Sequence, residues 1–320
     1  MISLRGLKRL NRYENRIYRI ARLARDLCQL KQIGYSRKSI NGFRFPVYSL
    51  VLGKKSAVKH HPVGLIAGVH GLETVGVRVL LDFLENIFAE PGQVFRDLKK
   101  GKYAIICIPI LNPGGVAMKR RSNPGGVDLM RNSGVESKSA MRFFGGQKVS
   151  QLLPYYRGKN LQPESRTLFA LVREYLFPVR KGLIPVLDIH SGFGMKDSLW
   201  WPYAGTTQPC PDQLLYERTA RILCENETDI VPESQSNAYT IHGDLWDYLY
   251  NEFQQETRKS RFLPFTLEIG TWKEIKKEPM RLFSRRGMFN PLPENKADTI
   301  LRYRNFLERF VRLNQLYSRE

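Results

Sequence analysis

Apolar residues recur at steps of three and four positions over residues 3–31, and this period predicts an amphipathic helix at the start of the chain. The positions between them are rich in Arg and Lys, so the predicted helix has one apolar face and one strongly basic face. Two interpretations follow. The helix packs its apolar face on the rest of the protein, or it lies on an anionic membrane or binds a polyanion. The apolar positions are Leu4, Leu7, Leu10, Ile17, Ile20, Ala24, Leu27 and Leu30.

Beyond this helix, short apolar segments alternate with longer segments of helical period. Alternating strands and helices predict an α/β fold with a mixed, largely parallel twisted sheet and helices on both faces. We expect one catalytic domain over residues 39–320, preceded by a basic helical extension over residues 1–38. The predicted strands cover residues 43–52, 63–69, 103–110, 183–189 and 262–269. The predicted helices cover residues 74–89, 163–177, 214–226 and 296–317.

The net charge of this 320-residue chain is +21, and it is concentrated near the N-terminus. Residues 1–60 contain fifteen Lys and Arg residues against two acidic residues. An excess of Lys and Arg over acidic residues favours anionic partners through non-specific electrostatic attraction. It therefore leaves open a weak contact of residues 1–31 with an anionic membrane or a polyanion, and no specific recognition of nucleic acid is expected.

Membrane and secretory signals are not evident in the sequence. No run of about eighteen apolar residues occurs, so no transmembrane helix is predicted. The basic N-terminus lacks the continuous apolar segment of a secretory signal. The four cysteines are scattered and form no Cys-x-x-Cys pair, which is typical of reduced thiols and predicts a cytoplasmic protein.

Side chains with metal-binding chemistry follow the predicted strands. His70 and Glu73 lie in the turn after the second strand, and His190 lies at the exit of the fourth. Glu268 lies near the end of the last strand, where a carboxylate among apolar residues is costly unless it is paired or functional. The carboxyl ends of parallel strands meet at the edge where such sheets bind ligands. Two His and one Glu can hold a catalytic zinc ion, and a further carboxylate can move protons, so the pattern predicts a zinc hydrolase.

These segments resemble the zinc metallocarboxypeptidases of the carboxypeptidase A type over about residues 60–275. The pair His70 and Glu73 is similar to the family's His-x-x-Glu zinc pair, and Asp188-Ile189-His190-Ser191 is similar to the segment with its third ligand. The resemblance implies that His70, Glu73 and His190 bind one zinc ion. It also implies that Glu268, in Phe265-Thr266-Leu267-Glu268, is the general base.

The resemblance also implies roles for residues outside the metal site. Arg121 stands where the family has the arginine that polarises the scissile carbonyl, and Arg131 matches the arginine that grips a substrate carboxylate. Tyr239 resembles the mobile tyrosine that closes over the substrate. We also expect Asn132 and His242 to contact the substrate, which would be a peptide or an N-acyl amino acid with a free carboxylate.

Two positions depart from the family pattern. Met130 replaces the Asn that helps the carboxylate-binding arginine, and methionine cannot donate a hydrogen bond. Gly114 replaces the Asp of the family's Asn-Pro-Asp-Gly turn. Because of Met130, two hydrolytic activities remain as alternatives. One is that of a metallocarboxypeptidase, and the other is that of an N-acyl amino acid amidohydrolase of the succinylglutamate desuccinylase and aspartoacylase type. A third hypothesis is a non-catalytic protein that binds a polyanion or a membrane through its basic helix.

Overall fold

The computed structural model describes residues 2–142, 144–192, 194–225, 227, 229–280, 287–291 and 296–317. Eight strands form one sheet. They are β1 (Cys28–Tyr35), β2 (Pro46–Leu52), β3 (Pro62–Ala67), β4 (Ala104–Ile108), β5 (Lys181–Ser191), β6 (Asp197–Trp201), β7 (Ile230–Ser234) and β8 (Lys259–Ile269).

The longest helices of the described residues lie at the two ends of the chain and after β3. None of the described helices combines the length and the apolar content that a membrane crossing needs. The helices are α1 (Leu4–Ala24), α2 (Lys55–His60), α3 (Thr74–Ala89), α4 (Gln93–Lys100), α5 (Pro113–Met118), α6 (Pro163–Tyr175), α7 (Gln213–Cys224), α8 (Gln235–Ala238), α9 (Leu245–Gln254), α10 (Trp272–Lys277), α11 (Lys296–Val311) and α12 (Leu313–Tyr317).

The strand order across the sheet is β1-β2-β4-β3-β5-β8-β6-β7. The central strands β4, β3, β5 and β8 are parallel. The strand β2 and the parallel β6–β7 pair run against their central neighbours, and the edge strand β1 runs against β2. The α/β prediction with a mixed, largely parallel sheet is therefore confirmed. The carboxyl ends of β3, β5 and β8 lie side by side, and His190 on β5 is in register with Glu268 on β8.

Helices cover both faces of the sheet, as contacts of its first two strands demonstrate. Tyr18 of α1 shares a hydrogen bond with Tyr48 of β2, whereas Tyr175 of α6 accepts one from Lys31 of β1. Lys31 is in register with Ser49, the residue after Tyr48. Successive strand residues point to opposite faces, so α1 and α6 lie on opposite sides of the sheet.

The first helix ends earlier than the sequence pattern predicts. The helix α1 stops at Ala24, and residues 28–35 form the edge strand β1 instead of a last helical turn. Exposed residues in β1 recur at every third position, at Gln29, Gln32 and Tyr35, so its burial imitates a helical period. The domain boundary at residue 38 stays a prediction, although β1 belongs to the main sheet.

The apolar face of α1 packs against α3 and α5. Gly6 allows the closest approach, since a Cβ at this position would lie 2.0 Å from the carbonyl oxygen of Ala117. Leu4 and Leu7 of the predicted apolar face are exposed. The part of the face that does pack leaves little apolar surface for insertion into lipid. Its buried members are Gly6, Leu10, Tyr13, Ile17, Ile20 and Ala24.

Candidate metal centre

His70 and Glu73 lie in the tight turn that joins β3 to α3. Gly68 opens this turn at φ 68°, a left-handed conformation that glycine adopts without steric cost. Gly71 touches the start of α5 so closely that a Cβ would lie 2.1 Å from the carbonyl carbon of Gly115. The two side chains are only 2% and 3% exposed. Such tight packing fixes the direction in which they point.

Three side chains converge on one buried point. The Nδ1 atom of His70 lies 2.8 Å from Oε1 of Glu73, and Nδ1 of His190 lies 3.0 Å from its Oε2. The two Nδ1 atoms are 3.2 Å apart, and the ligand atoms of all three residues lie within 4.8 Å of one another. Two imidazole nitrogens and one carboxylate are the donor set of many catalytic zinc sites. The three residues therefore form a group that fits zinc.

The second nitrogen of each imidazole faces a buried carboxylate. Nε2 of His70 is hydrogen-bonded to Oδ1 of Asp128 at 3.0 Å. Nε2 of His190 lies 3.0 Å from Oδ2 of Asp188, which also accepts a hydrogen bond from the indole of Trp246. Carboxylates in these positions hold the rings so that Nδ1 of each faces the metal point.

The charges around the metal point keep Glu73 ionised and favour the protonated form of His190. Burial opposes the charge on Glu73, but His70 and Arg121 outweigh it and hold the pKa of Glu73 well below its ordinary range. Burial likewise opposes protonation of His190, yet the carboxylates of Asp188 and Glu73 raise the pKa of His190 well above its ordinary value. A divalent cation would replace that proton at Nδ1 and keep the same carboxylate partners.

Asp128 connects the metal site to both predicted arginines. Its Oδ2 accepts hydrogen bonds from Nε of Arg121 at 3.1 Å and from Nη1 of Arg131 at 2.9 Å, while its Oδ1 is bonded to His70. Burial disfavours a charge here, but the two arginines outweigh it and hold the pKa of Asp128 well below its ordinary value. One ionised carboxylate thus fixes a zinc-ligand candidate and two cations together.

The two arginines differ in how far they are enclosed. Arg121 donates from Nη1 to Oε1 of Glu73 at 2.7 Å, and 24% of its side chain is exposed. Arg131 is buried, donates from Nε to the carbonyl of Phe144 at 2.8 Å, and has its guanidinium 4.7 Å from the ring centre of Tyr155. Tyr155 also lies under Arg121, at 5.7 Å. The sequence pattern gave no sign of Tyr155, because it lies in an irregular segment without periodicity.

Asn132 and His242, both expected to contact substrate, are engaged by protein groups. The amide nitrogen of Asn132 donates to the carbonyl oxygens of Arg157 and Asn160, and its oxygen accepts from the backbone of Gln162. Nδ1 of His242 accepts from the backbone N–H of Ser137 at 3.1 Å. In this structure both side chains therefore hold the surrounding loops.

Glu268 is the neighbour of His190 on the sheet, and Tyr239 lies close to Glu268 and Arg131. Glu268 is 7% exposed and is in register with His190 on one side and with Ser198 of β6 on the other. Burial raises the pKa of the Tyr239 hydroxyl; nearby Arg131 opposes this shift and nearby Glu268 adds to it. Tyr239 is therefore a neutral phenol close to both the general-base candidate and the carboxylate-binding candidate.

The turn at Asn112 ties the metal turn to the arginine loop. The side-chain amide of Asn112 donates to the carbonyl of Val69 at 3.1 Å and to that of Arg121 at 3.4 Å. Its oxygen accepts from the backbone N–H of Gly115 at 2.7 Å. Asn112 therefore sets the distance between the zinc-binding turn and the Arg121 backbone.

A close contact explains why this chain has Gly114 where the family pattern has Asp. A Cβ at this position would lie 2.4 Å from Cγ of Pro124. We expect Gly114→Asp, which restores the family residue, to destabilise the protein by about 1–3 kcal/mol. Urea denaturation measures this, with Gly134→Asp as control because the nearest atom to a Cβ there is 4.0 Å away. Equal stability of the two variants would contradict the steric explanation.

Asn290 is a further positioning residue of this site. Its Oδ1 accepts hydrogen bonds from the backbone N–H groups of Thr74 and Val75, and its amide nitrogen donates to the carbonyl of Leu72. These contacts satisfy groups at the start of α3, directly after Glu73. No local pattern in the sequence signals this cap, because the two partners are more than two hundred positions apart.

Asp244 and Asp247 form a buried acidic pair at the start of α9. Oδ1 of Asp244 accepts from the backbone N–H groups of Trp246 and Asp247, both at 2.8 Å. Burial raises the pKa of Asp244 to about 6, although these two hydrogen bonds lower it. Burial and the neighbouring Asp244 charge also raise the pKa of Asp247 well above its ordinary value. The folded protein therefore holds protons on this pair that the unfolded chain releases.

The acidic pair predicts a pH dependence of stability. Because the folded-state pKa of Asp244, about 6, exceeds the ordinary value of about 4, its stabilising protonation is complete below pH about 4 and is lost as pH rises through about 6. Between pH about 4 and about 6, we therefore expect the free energy of unfolding to fall in the parent protein, and to fall less in Asp244→Asn. Urea denaturation at a series of pH values tests this. A difference between the two proteins that does not change with pH would contradict it.

The chain was compared with known proteins. The family model for zinc carboxypeptidases, peptidase M14, matches residues 13–293. No curated protein sequence matches the chain. Among solved structures, bovine thrombin-activatable fibrinolysis inhibitor, in complex with tick carboxypeptidase inhibitor, is similar at 16% identity, with a TM-score of 0.70 and 97% of each chain covered.

Two further structures have the same fold. Carboxypeptidase A from Helicoverpa armigera has 17% identity and a TM-score of 0.68, over 95% of this chain and 72% of its own. A metallo-carboxypeptidase from Pseudomonas aeruginosa has 14% identity and a TM-score of 0.59, over 96% of this chain and 69% of its own. The family model covers most of the sequence, and the two imidazoles and the carboxylate meet at one point, so the chain belongs to the zinc carboxypeptidase family, peptidase M14.

Proposed function

We propose that this enzyme hydrolyses the amide bond next to a carboxylate-bearing residue, as a metallocarboxypeptidase does. His70, Glu73 and His190 would hold one zinc ion, which supplies a Lewis acid and a more acidic water when bound. The observation that carries the proposal is the convergence of these three buried side chains next to Glu268. An amide hydrolase needs this combination of an electrophile and a nearby proton acceptor.

Each remaining side chain has an assigned task in this proposal. Glu268 takes the proton of the attacking water and later passes it to the leaving nitrogen. Arg121 stabilises the oxyanion, and we assign this to its Nη2, because Nε and Nη1 are held by Asp128 and Glu73. A preorganised cation of this kind needs no reorientation when negative charge develops on the substrate.

Arg131 is assigned to the substrate carboxylate, with Tyr239 closing over the bound substrate. The Arg131 guanidinium has Nε on Phe144 and Nη1 on Asp128, which leaves its Nη2 edge as the donor for substrate. Asn132 and His242 stay proposed substrate contacts, although their observed hydrogen bonds favour a role in holding the loops.

The second candidate function is hydrolysis of N-acyl amino acids, and Met130 favours it. Met130 is buried next to Arg131 and brings no hydrogen-bond donor to a substrate carboxylate. A panel of blocked dipeptides, N-acetyl amino acids and N-succinyl amino acids separates the two functions. Peptide cleavage at the C-terminal residue supports the carboxypeptidase. Hydrolysis confined to N-acyl amino acids supports the amidohydrolase.

The zinc requirement is tested directly by elemental analysis and reconstitution. We expect about one zinc ion per purified chain, loss of hydrolysis after removal by a chelator, and recovery on return of zinc. His190→Ala is expected to lower zinc content and activity together. Full activity in the metal-depleted protein would exclude the zinc mechanism.

An electrostatic contact of residues 1–31 with a polyanion or an anionic membrane remains a proposal for an accessory function. Because most of the apolar face of α1 is buried, such a contact would depend mainly on the exposed basic side chains. Deletion of this segment would uncover the core, so the charge reversals Lys8→Glu and Arg12→Glu are the better test. Their effect on binding should shrink as salt is added.

We also propose that the enzyme is cytoplasmic. All four cysteines are free thiols, and two of them, Cys107 and Cys210, are buried. Free thiols are typical of proteins in a reducing compartment. Location of a tagged protein by fractionation tests this proposal.

A further inference from the structure

The loop between β1 and β2, residues 36–45, presents an apolar tip to solvent. Ile40 is 92% exposed and Phe43 is 57% exposed. The tip is held by hydrogen bonds: Ser39 N–H donates to the carbonyl of Phe43, and Gly42 N–H donates to the carbonyl of Ser39. Gly42 adopts φ 79°, which favours glycine in this turn. The two apolar side chains therefore project from a closed, internally bonded turn.

A basic cavity lies at the base of this loop, against α6. Its volume is about 860 Å³, and no Asp or Glu lines it. Four of its lining residues are cations: Arg37, Lys38, Arg44 and Arg166. In the described part of the chain, none of these four takes part in a salt bridge. We call this set the basic cavity, and Ile40 with Phe43 the apolar tip.

One buried acid close to the basic cavity, Glu164, attracts Arg37 but forms no salt bridge with its side chain. Glu164, fully buried at the start of α6, accepts the backbone N–H of Arg37 at 2.8 Å and the side-chain amide of Asn123 at 3.2 Å. Its carboxylate is thus used to fix the loop backbone. The charge of the cavity remains available for an anion from outside the chain.

An apolar tip next to unneutralised cations matches the interface of an anionic membrane. Exposed aliphatic and aromatic side chains are stabilised when they leave water and enter the boundary between lipid headgroups and acyl chains. Lys and Arg side chains bind the lipid phosphates. Nucleic acid fits less well, because the most exposed tip residue is the aliphatic Ile40, which offers no ring for base stacking. Most of the apolar face of α1 is buried against α3 and α5, so this loop is better suited to insertion than α1.

We propose that the apolar tip and the basic cavity dock this enzyme on a membrane that contains anionic phospholipid. The apolar tip enters the interface, and the basic cavity holds the phosphate groups of the lipids. This contact is separate from hydrolysis, since no proposed metal ligand or substrate-binding residue belongs to either set. It would concentrate the enzyme at a membrane surface.

Vesicle co-sedimentation of the full-length, zinc-loaded protein tests the docking. We expect binding to vesicles of phosphatidylcholine with phosphatidylglycerol, and little binding to phosphatidylcholine alone. The pair Ile40→Ser and Phe43→Ser should weaken binding at least about tenfold, with hydrolysis unchanged. The matched control is Leu214→Ser with Leu301→Ser, because these two side chains are also exposed but lie on α7 and α11.

Insertion of the apolar tip and the charge contact of the basic cavity are measured separately. Phe43→Trp should give a blue shift of the added fluorescence on vesicle addition, whereas Leu214→Trp should not. Arg37→Glu with Lys38→Glu should abolish binding at moderate salt, while Lys8→Glu with Arg12→Glu on α1 should leave most of it.

Three results would overturn the proposal. Unchanged binding in the tip variant would remove the insertion, and an equal loss in the α1 variant would move the contact to that helix. Tighter binding of a single-stranded oligonucleotide than of anionic vesicles, lost in the Arg37 and Lys38 variant, would make the basic cavity a nucleic-acid site instead. Hydrolysis is measured in every variant, so failure of docking stays distinct from failure of the proposed function.

Discussion

Glu268→Gln is expected to lower the rate of amide hydrolysis by about 10²–10⁴-fold while zinc stays bound. The glutamine side chain keeps the size of glutamate but cannot accept the proton of the attacking water. Glu268 lies on β8 in register with His190, outside the group of three residues that meet at the metal point. We therefore expect kcat to fall, with KM and zinc content close to those of the parent.

The measurement combines steady-state kinetics with elemental analysis of the same preparation. Glu233→Gln is the control, because Glu233 belongs to the same sheet on β7 and accepts a hydrogen bond from Trp200 that glutamine can also accept. Activity retained in Glu268→Gln would remove the assigned role. Zinc lost together with activity would instead make Glu268 part of the metal-binding set.

The metal residues could be predicted because a local rule places them. Each of His70, Glu73, His190 and Glu268 follows or ends an apolar strand, and parallel strands bring their carboxyl ends to one edge. The structure brings three of them together as a group and places the fourth in register with His190. Strand periodicity and chain order were therefore sufficient for this part of the site.

The supporting contacts of Asn290 and Tyr155 were not predicted, because they depend on tertiary packing. Asn290 caps α3 across more than two hundred residues, and Tyr155 reaches both arginines from an irregular segment. The start of the edge strand β1 was wrongly assigned to the first helix, since the exposed residues of β1 recur at every third position. Strands β6 and β7 were also missed: each has five residues, too few for a clear period.

The contact that joins the two arginines was also not predicted from the sequence. The resemblance implied that Arg121 and Arg131 act on substrate, and sequence order alone suggested no relation between them. In the structure one carboxylate, Asp128, binds both guanidinium groups and His70. The two arginines proposed to act on substrate and the zinc-ligand candidate His70 therefore share a positioning residue, and a change at Asp128 should affect both.

Asp128→Asn is expected to destabilise the metal-free protein by about 3–5 kcal/mol, because it leaves the buried guanidinium of Arg131 without the counter-charge of Asp128. It should also weaken zinc binding by about 10–100-fold, since Nε2 of His70 loses its carboxylate partner. The pKa of Asp128 is depressed in the folded state, so its contribution is present above the ordinary value of about 4 and is lost as pH falls below it. The stability difference between parent and variant should therefore be constant near neutral pH and shrink in acid.

Urea denaturation across pH and competition with a zinc chelator measure the two effects, with the exposed Asp26→Asn as control. A second substitution makes the test specific to the buried network. Arg131→Met removes one of the cations that Asp128 holds, so the double variant should lose less stability than the sum of the two single losses. Strictly additive losses, or unchanged zinc affinity in Asp128→Asn, would mean that this carboxylate does not couple the arginines to the metal site.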